Sequence, residues 1–209
     1  MSKSTIWQLL KHKGFSDVAA AAIMGNMEAE SNCEANRLQG DFTSNRSKSI
    51  EYTAQVDNGT ISRHNFIYNG PNGGGYGLCQ WTYWARKAGL YDLAQEQGAS
   101  IGDEAVQVDW LVRELFQSEY NSVLQTLQTS DSIRACSDAM LKGFEKPADQ
   151  SDTTCVLRAG YAQNIYDEFA GTSTEETEVR DNTYVEKALL IVMYMKELLQ
   201  MVDDFEVTE

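Results

Sequence analysis

The sequence contains few of the groups that metal sites and nucleic-acid sites require. It has two histidines, His12 and His64, neither of them in an HExxH motif, and its four cysteines form no CxxC pair. We therefore expect neither a metal ion nor a cofactor. Lys and Arg number 17 against 31 Asp and Glu, and the resulting formal charge of −14 repels polyphosphate backbones. Nucleic acid is therefore not an expected partner.

Long apolar runs are absent as well. No stretch approaches the roughly 18 residues that a membrane-spanning helix needs. The N-terminal segment MSKSTIWQLLKHKG lacks the apolar core and the cleavage site of a signal peptide. We expect a chain that is made in the cytoplasm and does not insert into membranes. The widely spaced cysteines are more typical of reduced thiols than of a disulfide framework, with one bridge formed after export as the alternative.

Apolar periodicity predicts that most of the chain is helical. A short first helix should end at Gly14, and a second should run over 17–31 with Ser16 as its N-cap. Later helices are expected near 83–97, 103–118, 119–129, 131–145 and 152–170, with Asp103, Ser130 and Ser151 at or near their starts.

Residues 34–75 have a different character, rich in Asn, Ser, Gly and Thr. Two β-prone segments, 49–56 and 62–68, flank the turn-forming sequence Asp57-Asn58-Gly59. This arrangement predicts a small β-hairpin. The expected fold class is therefore α+β, mainly helical with a small β-hairpin.

The sequence predicts one domain over 1–170, followed by a separate C-terminal segment. Residues 171–183 are polar and acidic without periodicity, as in a linker. A capping-box pattern then begins a last amphipathic helix over 184–205, within a terminal segment 184–209. Two apolar seams on this helix predict either docking onto the domain or self-association or binding to a partner.

Two glutamates near the end of the second helix are candidates for acid chemistry. Glu28 and Glu30 are separated by about 200° around the helix axis, so they cannot face one site. Glu30 falls beside Met27 on the inward face, while Glu28 points away. An apolar wall keeps a carboxyl group protonated near neutral pH, as a general acid for glycosidic cleavage requires. The alternative is a helix-terminal glutamate that extends into solvent.

The segment Tyr76 to Trp84 combines aromatic and amide side chains directly after a glycine-rich loop. Flat aromatic faces stack on sugar rings, and amides bind sugar hydroxyl groups. Tyr76, Gln80 and Trp81 are therefore candidates to hold a carbohydrate. Burial of the tryptophans in the core is the alternative.

Two sequence blocks together carry a resemblance to a known family. Residues 18–33, VAAAAIMGNMEAESNC, and residues 75–94, GYGLCQWTYWARKAGLYDLA, resemble the phage tail lysozyme and endolysin family of the lysozyme-like superfamily. Residues 100–115 and FEKPADQS at 144–151 are similar to the helical half of that family. The resemblance covers roughly 5–170 and does not extend to 171–209.

The resemblance implies a peptidoglycan glycosidase with the glutamate of the Glu-Ser pair, Glu30, as catalytic acid. It also implies that Ser31, Gln80, Trp81 and Arg86 line or support the glycan cleft. The expected reaction is that of a muramidase, cleavage of the β-1,4 bond between N-acetylmuramic acid and N-acetylglucosamine. Such a phage lytic enzyme would reach the bacterial wall after holin-type release or as part of a phage particle.

A second carboxylate would decide the mechanism, and the sequence offers Asp41, Glu51 and Asp57. We favour Asp57, because lysozyme-like folds place a hairpin across the cleft and VDNGT resembles a VDxG stretch of related phage enzymes. Simple turn chemistry is the alternative explanation of Asp57. If no second carboxylate reaches the bond, Glu30 alone could act as acid and then base in a lytic transglycosylase.

Two further hypotheses belong to other classes of function. Cys79 could be the nucleophile of a peptidoglycan amidase or peptidase, but both histidines precede it, opposite to the usual order in wall cysteine amidases. A glycan-binding module without catalysis is the other possibility. Retention of Glu30 in the Glu-Ser pair argues against it, because binding alone does not require a buried acid.

Overall fold

The computed structural model describes residues 3–41, 44–68 and 74–171. The predicted helix at 184–205 and all of the predicted linker after Gly171 lie outside the described residues. The proposed division into a domain, a linker and a terminal helix therefore stays a prediction.

The described residues form a mainly helical domain. In chain order the α-helices are α1 (Lys3–His12), α2 (Asp17–Ser31), α3 (Ser47–Asp57), α4 (Arg63–Tyr68), α5 (Trp84–Gln97), α6 (Glu104–Leu115), α7 (Asn121–Thr129), α8 (Ile133–Ala139) and α9 (Asp152–Phe169). A 3-10 turn, Ser118–Tyr120, precedes α7, and a π-helical turn, Met140–Glu145, continues α8.

The predicted β-hairpin is wrong, and with it the α+β class. Its two segments lie in α3 and α4, and in the described part of the chain the only strand-like pairing is two isolated bridges. The physical reason is visible in α3, where Ser49, Tyr52, Thr53 and Val56 are buried on one helical face. This i, i+3, i+4, i+7 pattern outweighs the local β propensity of the segment. Gly59, at φ +79°, follows the end of the helix and does not turn a hairpin.

The other helices are confirmed within a few residues at their ends. Ser16 caps α2 by accepting a hydrogen bond from the Ala19 amide at 3.1 Å, and Asp103 and Ser151 cap α6 and α9 in the same way. The helix predicted over 131–145 begins later, after Ser132, which takes the capping role expected of Ser130. Local capping chemistry is therefore well predicted by the sequence.

Helix α2 is the centre of the domain and packs against α1, α8 and α9. Every residue from Ala19 to Met27 is buried, as expected of a helix that is apolar on all sides. Its approach to α9 is so close that a Cβ atom at Gly25 would lie 2.6 Å from the backbone nitrogen of Ala162. A glycine is therefore required at this position of the GNM motif.

The four cysteines, all within the described ranges, are buried and unbridged. No helix in those ranges has both the length and the apolar character that crossing a bilayer demands.

Gly25→Ala should destabilise the domain by roughly 1–3 kcal/mol or more, because the added methyl group overlaps the α9 backbone. Gly160→Ala, in the exposed part of α9 where no atom lies within 4 Å of an added Cβ, is the matched control. The control should stabilise the domain by about 0.5–1 kcal/mol through helix propensity. Urea unfolding of both variants measures the difference. Equal stabilities would contradict the close contact of α2 with α9.

Candidate active site

A polar cleft of about 590 Å³ opens where three parts of the chain meet. The end of α2 contributes Glu30, and the π-helical turn contributes Glu145. The segment before and within α5 contributes Cys79, Gln80, Thr82, Tyr83 and Arg86. The remaining lining residues are Gln39, Lys146, Pro147 and Ala148. Most of these side chains are polar, which suits a hydroxyl-rich ligand.

Glu30 lies in the last turn of α2 with about 20% of its side chain exposed. Arg158 of α9 donates from Nη2 to Glu30 Oε1 at 2.5 Å and from Nη1 to Asn26 Oδ1 at 3.1 Å. The buried amide of Asn26 in turn donates to the Ser137 carbonyl on α8. The expected apolar wall around Glu30 is therefore wrong, because a positioned guanidinium group holds this carboxylate.

Glu28 binds a different partner on a different face. Its carboxylate pairs with Lys3 of α1 at 3.0 Å, and Glu28 does not line the cleft. The prediction that Glu28 and Glu30 face different surroundings is confirmed.

Ser31 is buried and supports the cleft from behind. Its hydroxyl group lies 2.9 Å from the carbonyl oxygen of Leu78 and 3.0 Å from that of Met27. The end of α2 is thereby joined to the loop that precedes Gln80. Ser31 has no surface in the cleft.

Tyr76 and Trp81 are fully buried, which corrects the expectation that they hold the sugars. Their backbones pair in a tight loop, with N···O distances of 3.2 and 3.0 Å. The Tyr76 hydroxyl group lies 2.6 Å from Thr53 Oγ1, and the Trp81 indole donates to Glu114 at 2.7 Å. These bonds turn both rings into the core, where their role is to support the loop.

Arg86 and Gln80 do line the cleft. Arg86 binds Glu114 of α6 through two hydrogen bonds of 2.7 and 3.0 Å and lies over the Phe144 ring. Burial opposes the charge of Arg86, but the hydrogen bonds that it donates to the Glu114 carboxylate hold the pKa of Arg86 above its ordinary value. Gln80 donates to the carbonyl oxygens of Arg37 and Gly77, which fixes its amide at the cleft edge.

Asp57 lies away from Glu30 at the end of α3, so the expected pair of Glu30 and Asp57 is not brought together. The Asp57 carboxylate accepts hydrogen bonds from Ser100 Oγ at 2.5 Å and from the Ile101 amide at 3.0 Å. It lines a second cavity of about 480 Å³ that shares no lining residue with the first. Asp57 was expected in the cleft because it was placed at the turn of a hairpin, and that segment is helical instead. Asp57 instead fastens α3 to the loop before α6.

The carboxyl group that does share the cleft with Glu30 is Glu145, which sequence reasoning missed. The π-helical turn ends there, closed by a 2.8 Å bond from the Lys146 amide to the Leu141 carbonyl. Oε1 of Glu145 is buried and takes no hydrogen bond from the described residues. Burial, reinforced by the negative charge of Glu30, raises the pKa of Glu145 to about 8. The FEKPADQS block was the available signal, but a regular helix would not aim this side chain into the cleft.

The exposed aromatic ring of Tyr83 lies at the rim of the cleft, next in sequence to the exposed ring of Trp84. Tyr83 is 59% exposed and Trp84 48%, and their ring centroids are 5.5 Å apart. An adjoining cavity of about 500 Å³ is lined by four of the same residues, Tyr83, Arg86, Glu145 and Lys146. Trp110 also lines this second cavity. The two cavities therefore form adjacent parts of one groove, and Tyr83 lies in both.

Comparison with known families matches residues 2–169 to phage tail lysozymes. The chain belongs to the phage tail lysozyme family. Among curated proteins, no match was found. Family membership implies peptidoglycan-degrading, lysozyme-like activity, and the resemblance carried by the GNMEAES and GYGLCQWT blocks is thereby confirmed.

The surroundings of Cys79 do not favour a thiol nucleophile in this lysozyme family member. Burial, followed by the negative charge of Glu145, raises the pKa of the Cys79 thiol well above its ordinary value. A thiolate is therefore disfavoured. His12 and His64 are both exposed, and neither lines the cleft.

Glu114→Gln should destabilise the domain by about 3–5 kcal/mol, because it leaves the buried charge of Arg86 without its partner. Glu96→Gln, which removes the partner of the exposed Arg113, is the control and should cost about 0–1 kcal/mol. Thermal and urea unfolding of the two variants provide the measurement. Similar losses would mean that the Arg86–Glu114 pair does not support the cleft.

Proposed function

We propose that the protein is a muramidase that cleaves the β-1,4 bond between N-acetylmuramic acid and N-acetylglucosamine of bacterial peptidoglycan, with Glu30 as general acid. The observation that carries this proposal is the position of Glu30, fixed by Arg158 in a polar cleft of a phage tail lysozyme family member. Glu28, only two residues away, has no access to that cleft.

In this mechanism Glu30 donates its proton to the glycosidic oxygen while the bond from that oxygen to C1 breaks. Water then adds to C1 and returns a proton to the enzyme. A lytic transglycosylase differs in the second step, where the C6 hydroxyl group of the muramic acid attacks C1 and forms an anhydro sugar. Asp57 does not line this cleft and cannot supply a second carboxylate there. The lytic transglycosylase mechanism, which needs Glu30 alone, is therefore the alternative to hydrolysis.

The glycan-contacting surface in this proposal consists of Tyr83, Gln80 and Arg86. Tyr83 offers an exposed ring at the junction of the two cavities, and a ring in this position can stack on a sugar. Ser31, Tyr76 and Trp81 act from behind, through the bonds that hold the loop and the end of α2.

The biological setting follows the family. We place the enzyme among phage lytic proteins that reach the wall of the host bacterium after holin-type release or within a phage particle. Docking or self-association through residues 184–205 remains a separate prediction, tested by comparing masses in solution with and without 171–209.

Glu30→Gln should reduce glycan cleavage by about 10²-fold or more, because the amide cannot donate the proton. Glu28→Gln is the matched control on the same helix and should retain activity, since Glu28 faces Lys3. The measurement is mass spectrometry of fragments released from purified peptidoglycan by the wild-type protein and both variants.

The same spectra separate the alternative mechanisms. Reducing-end fragments indicate a hydrolase, and anhydro fragments, lighter by the mass of one water, indicate a transglycosylase. Newly cut peptides with intact glycan, unaffected by Glu30→Gln but abolished by Cys79→Ser, would overturn the proposal in favour of an amidase or peptidase. Glycan binding without any released fragment would favour a non-catalytic module.

Tyr83→Ala should raise KM roughly 3- to 10-fold with little change in kcat, because an aromatic contact of this kind contributes about 0.5–1.5 kcal/mol. Phe116→Ala removes a similarly exposed ring that does not line the groove and serves as the control. Steady-state kinetics on soluble peptidoglycan fragments measure both. An unchanged KM for Tyr83→Ala would remove Tyr83 from the glycan-contacting surface.

A further inference from the structure

We propose that Tyr68, Tyr83 and Trp84 form an aromatic platform that continues the glycan-binding surface beyond the cleft, so that the enzyme binds long glycan strands more tightly than short fragments. The inference rests on the proposed function, in which the cleft beside Glu30 cleaves the glycan. It adds a part of the surface that the cleft does not contain, because Tyr68 and Trp84 line neither of the two adjoining cavities.

The three rings of the platform are exposed and lie next to one another. Tyr68, at 54% exposed, is as accessible as the other two. The ring of Trp84 contacts both neighbours, with its centroid 5.5 Å from that of Tyr83 and 6.2 Å from that of Tyr68. Single exposed apolar side chains are ordinary on a protein surface, but a contiguous group of them marks a binding surface.

The platform is held in place by the packing of α4 against α5. Arg63 of α4 donates two hydrogen bonds of 2.7 Å to the carboxylate of Asp92 on α5. Beside this ion pair, the buried ring of Phe66 lies 6.0 Å from the ring of Tyr91. The rings at the end of α4 and the start of α5 are therefore positioned before a ligand arrives, which lowers the entropic cost of binding.

The chemistry of the platform suits a carbohydrate. Aromatic rings offer apolar faces against which the apolar face of a sugar ring can stack, while tyrosine hydroxyl groups and the indole N–H can bond to sugar hydroxyl groups. None of the three side chains is acidic, in a chain whose formal charge is −14. An anionic wall polymer therefore meets less repulsion at the platform than on an acidic surface.

Continuity with the cleft identifies the glycan strand as the occupant. Tyr83 belongs to the platform and also lines both cavities of the groove. A strand that leaves the groove past Tyr83 can contact the ring of Trp84 and then that of Tyr68. A short fragment fills the groove alone, whereas a long strand also covers the platform.

The test compares KM for long glycan strands with KM for short fragments prepared from the same peptidoglycan, using the full chain. Trp84→Ala should raise the ratio of the two KM values, long over short, by roughly 3- to 10-fold, because one stacking contact with the long strand is lost. Tyr68→Ala should change the ratio in the same direction. Trp84→Phe keeps a ring and should restore most of the wild-type ratio.

Phe116→Ala is the matched control. Phe116 is similarly exposed but lines neither cavity of the groove and has no ring contact with the platform. Its removal should leave the ratio at the wild-type value.

Calorimetric titration of the Glu30→Gln chain with long strands provides a readout that does not depend on cleavage. Adding Tyr68→Ala to that chain should weaken binding of long strands by roughly 3- to 10-fold. This measurement tests the platform even if Trp84→Ala folds poorly.

Two outcomes would overturn the inference. A wild-type KM ratio in folded Trp84→Ala and Tyr68→Ala would remove the platform from the glycan-binding surface. A dimer in solution that Trp84→Ala dissociates, with no change in the KM ratio, would assign the platform to a second copy of the chain. Failure of the proposed function is distinct, since Glu30→Gln would then still cleave glycan, whereas the calorimetric comparison reports on the platform alone.

Discussion

The buried guanidinium group of Arg158 is the constraint on which the cleft depends. It joins the Glu30 carboxylate and the Asn26 amide of α2 to α9, and Asn26 extends the same chain of hydrogen bonds to α8. Such a charge is tolerated in the interior only where every partner is in place. The close contact at Gly25 brings the two helices near enough for this to happen. Three residues of the GNMEAES motif therefore act together. Gly25 permits the close approach of α2 to α9, Asn26 accepts a hydrogen bond that orients Arg158, and Glu30 accepts the second hydrogen bond of Arg158.

The other wall of the cleft depends on a second buried ion pair, Arg86 with Glu114, which also joins separate elements of the fold. Glu114 accepts hydrogen bonds from both Arg86 and the Trp81 indole, so one carboxylate of α6 fixes α5 and the aromatic loop together. Burial raises the pKa of Glu114, while the bonds from Arg86 and Trp81 oppose that rise. The buried rings of Tyr76 and Trp81 thus support the loop from inside, while Gln80, Tyr83 and Arg86 line the cleft.

Features that depend on neighbouring residues were predictable from the sequence, and features that depend on distant contacts were not. The cap at Ser16 and the orientation of Glu30 relative to Glu28 follow from helix geometry and were predicted correctly. The hairpin was predicted from local β propensity, but burial of one face of α3 favours a helix there. Without the hairpin, Asp57 does not lie across the cleft from Glu30. Glu145 requires a π-helical turn and the meeting of α2, α5 and α9, and none of these is encoded within a single window of sequence.

The burial of the four cysteines limits the chemistry that their thiols can undergo. All four cysteines are free and buried, and burial raises the pKa of Cys33, Cys79 and Cys136. Oxidants and disulfide exchange act on accessible thiolates, and burial limits access to all four thiols. Burial therefore protects the four thiols from these reactions for as long as the domain stays folded.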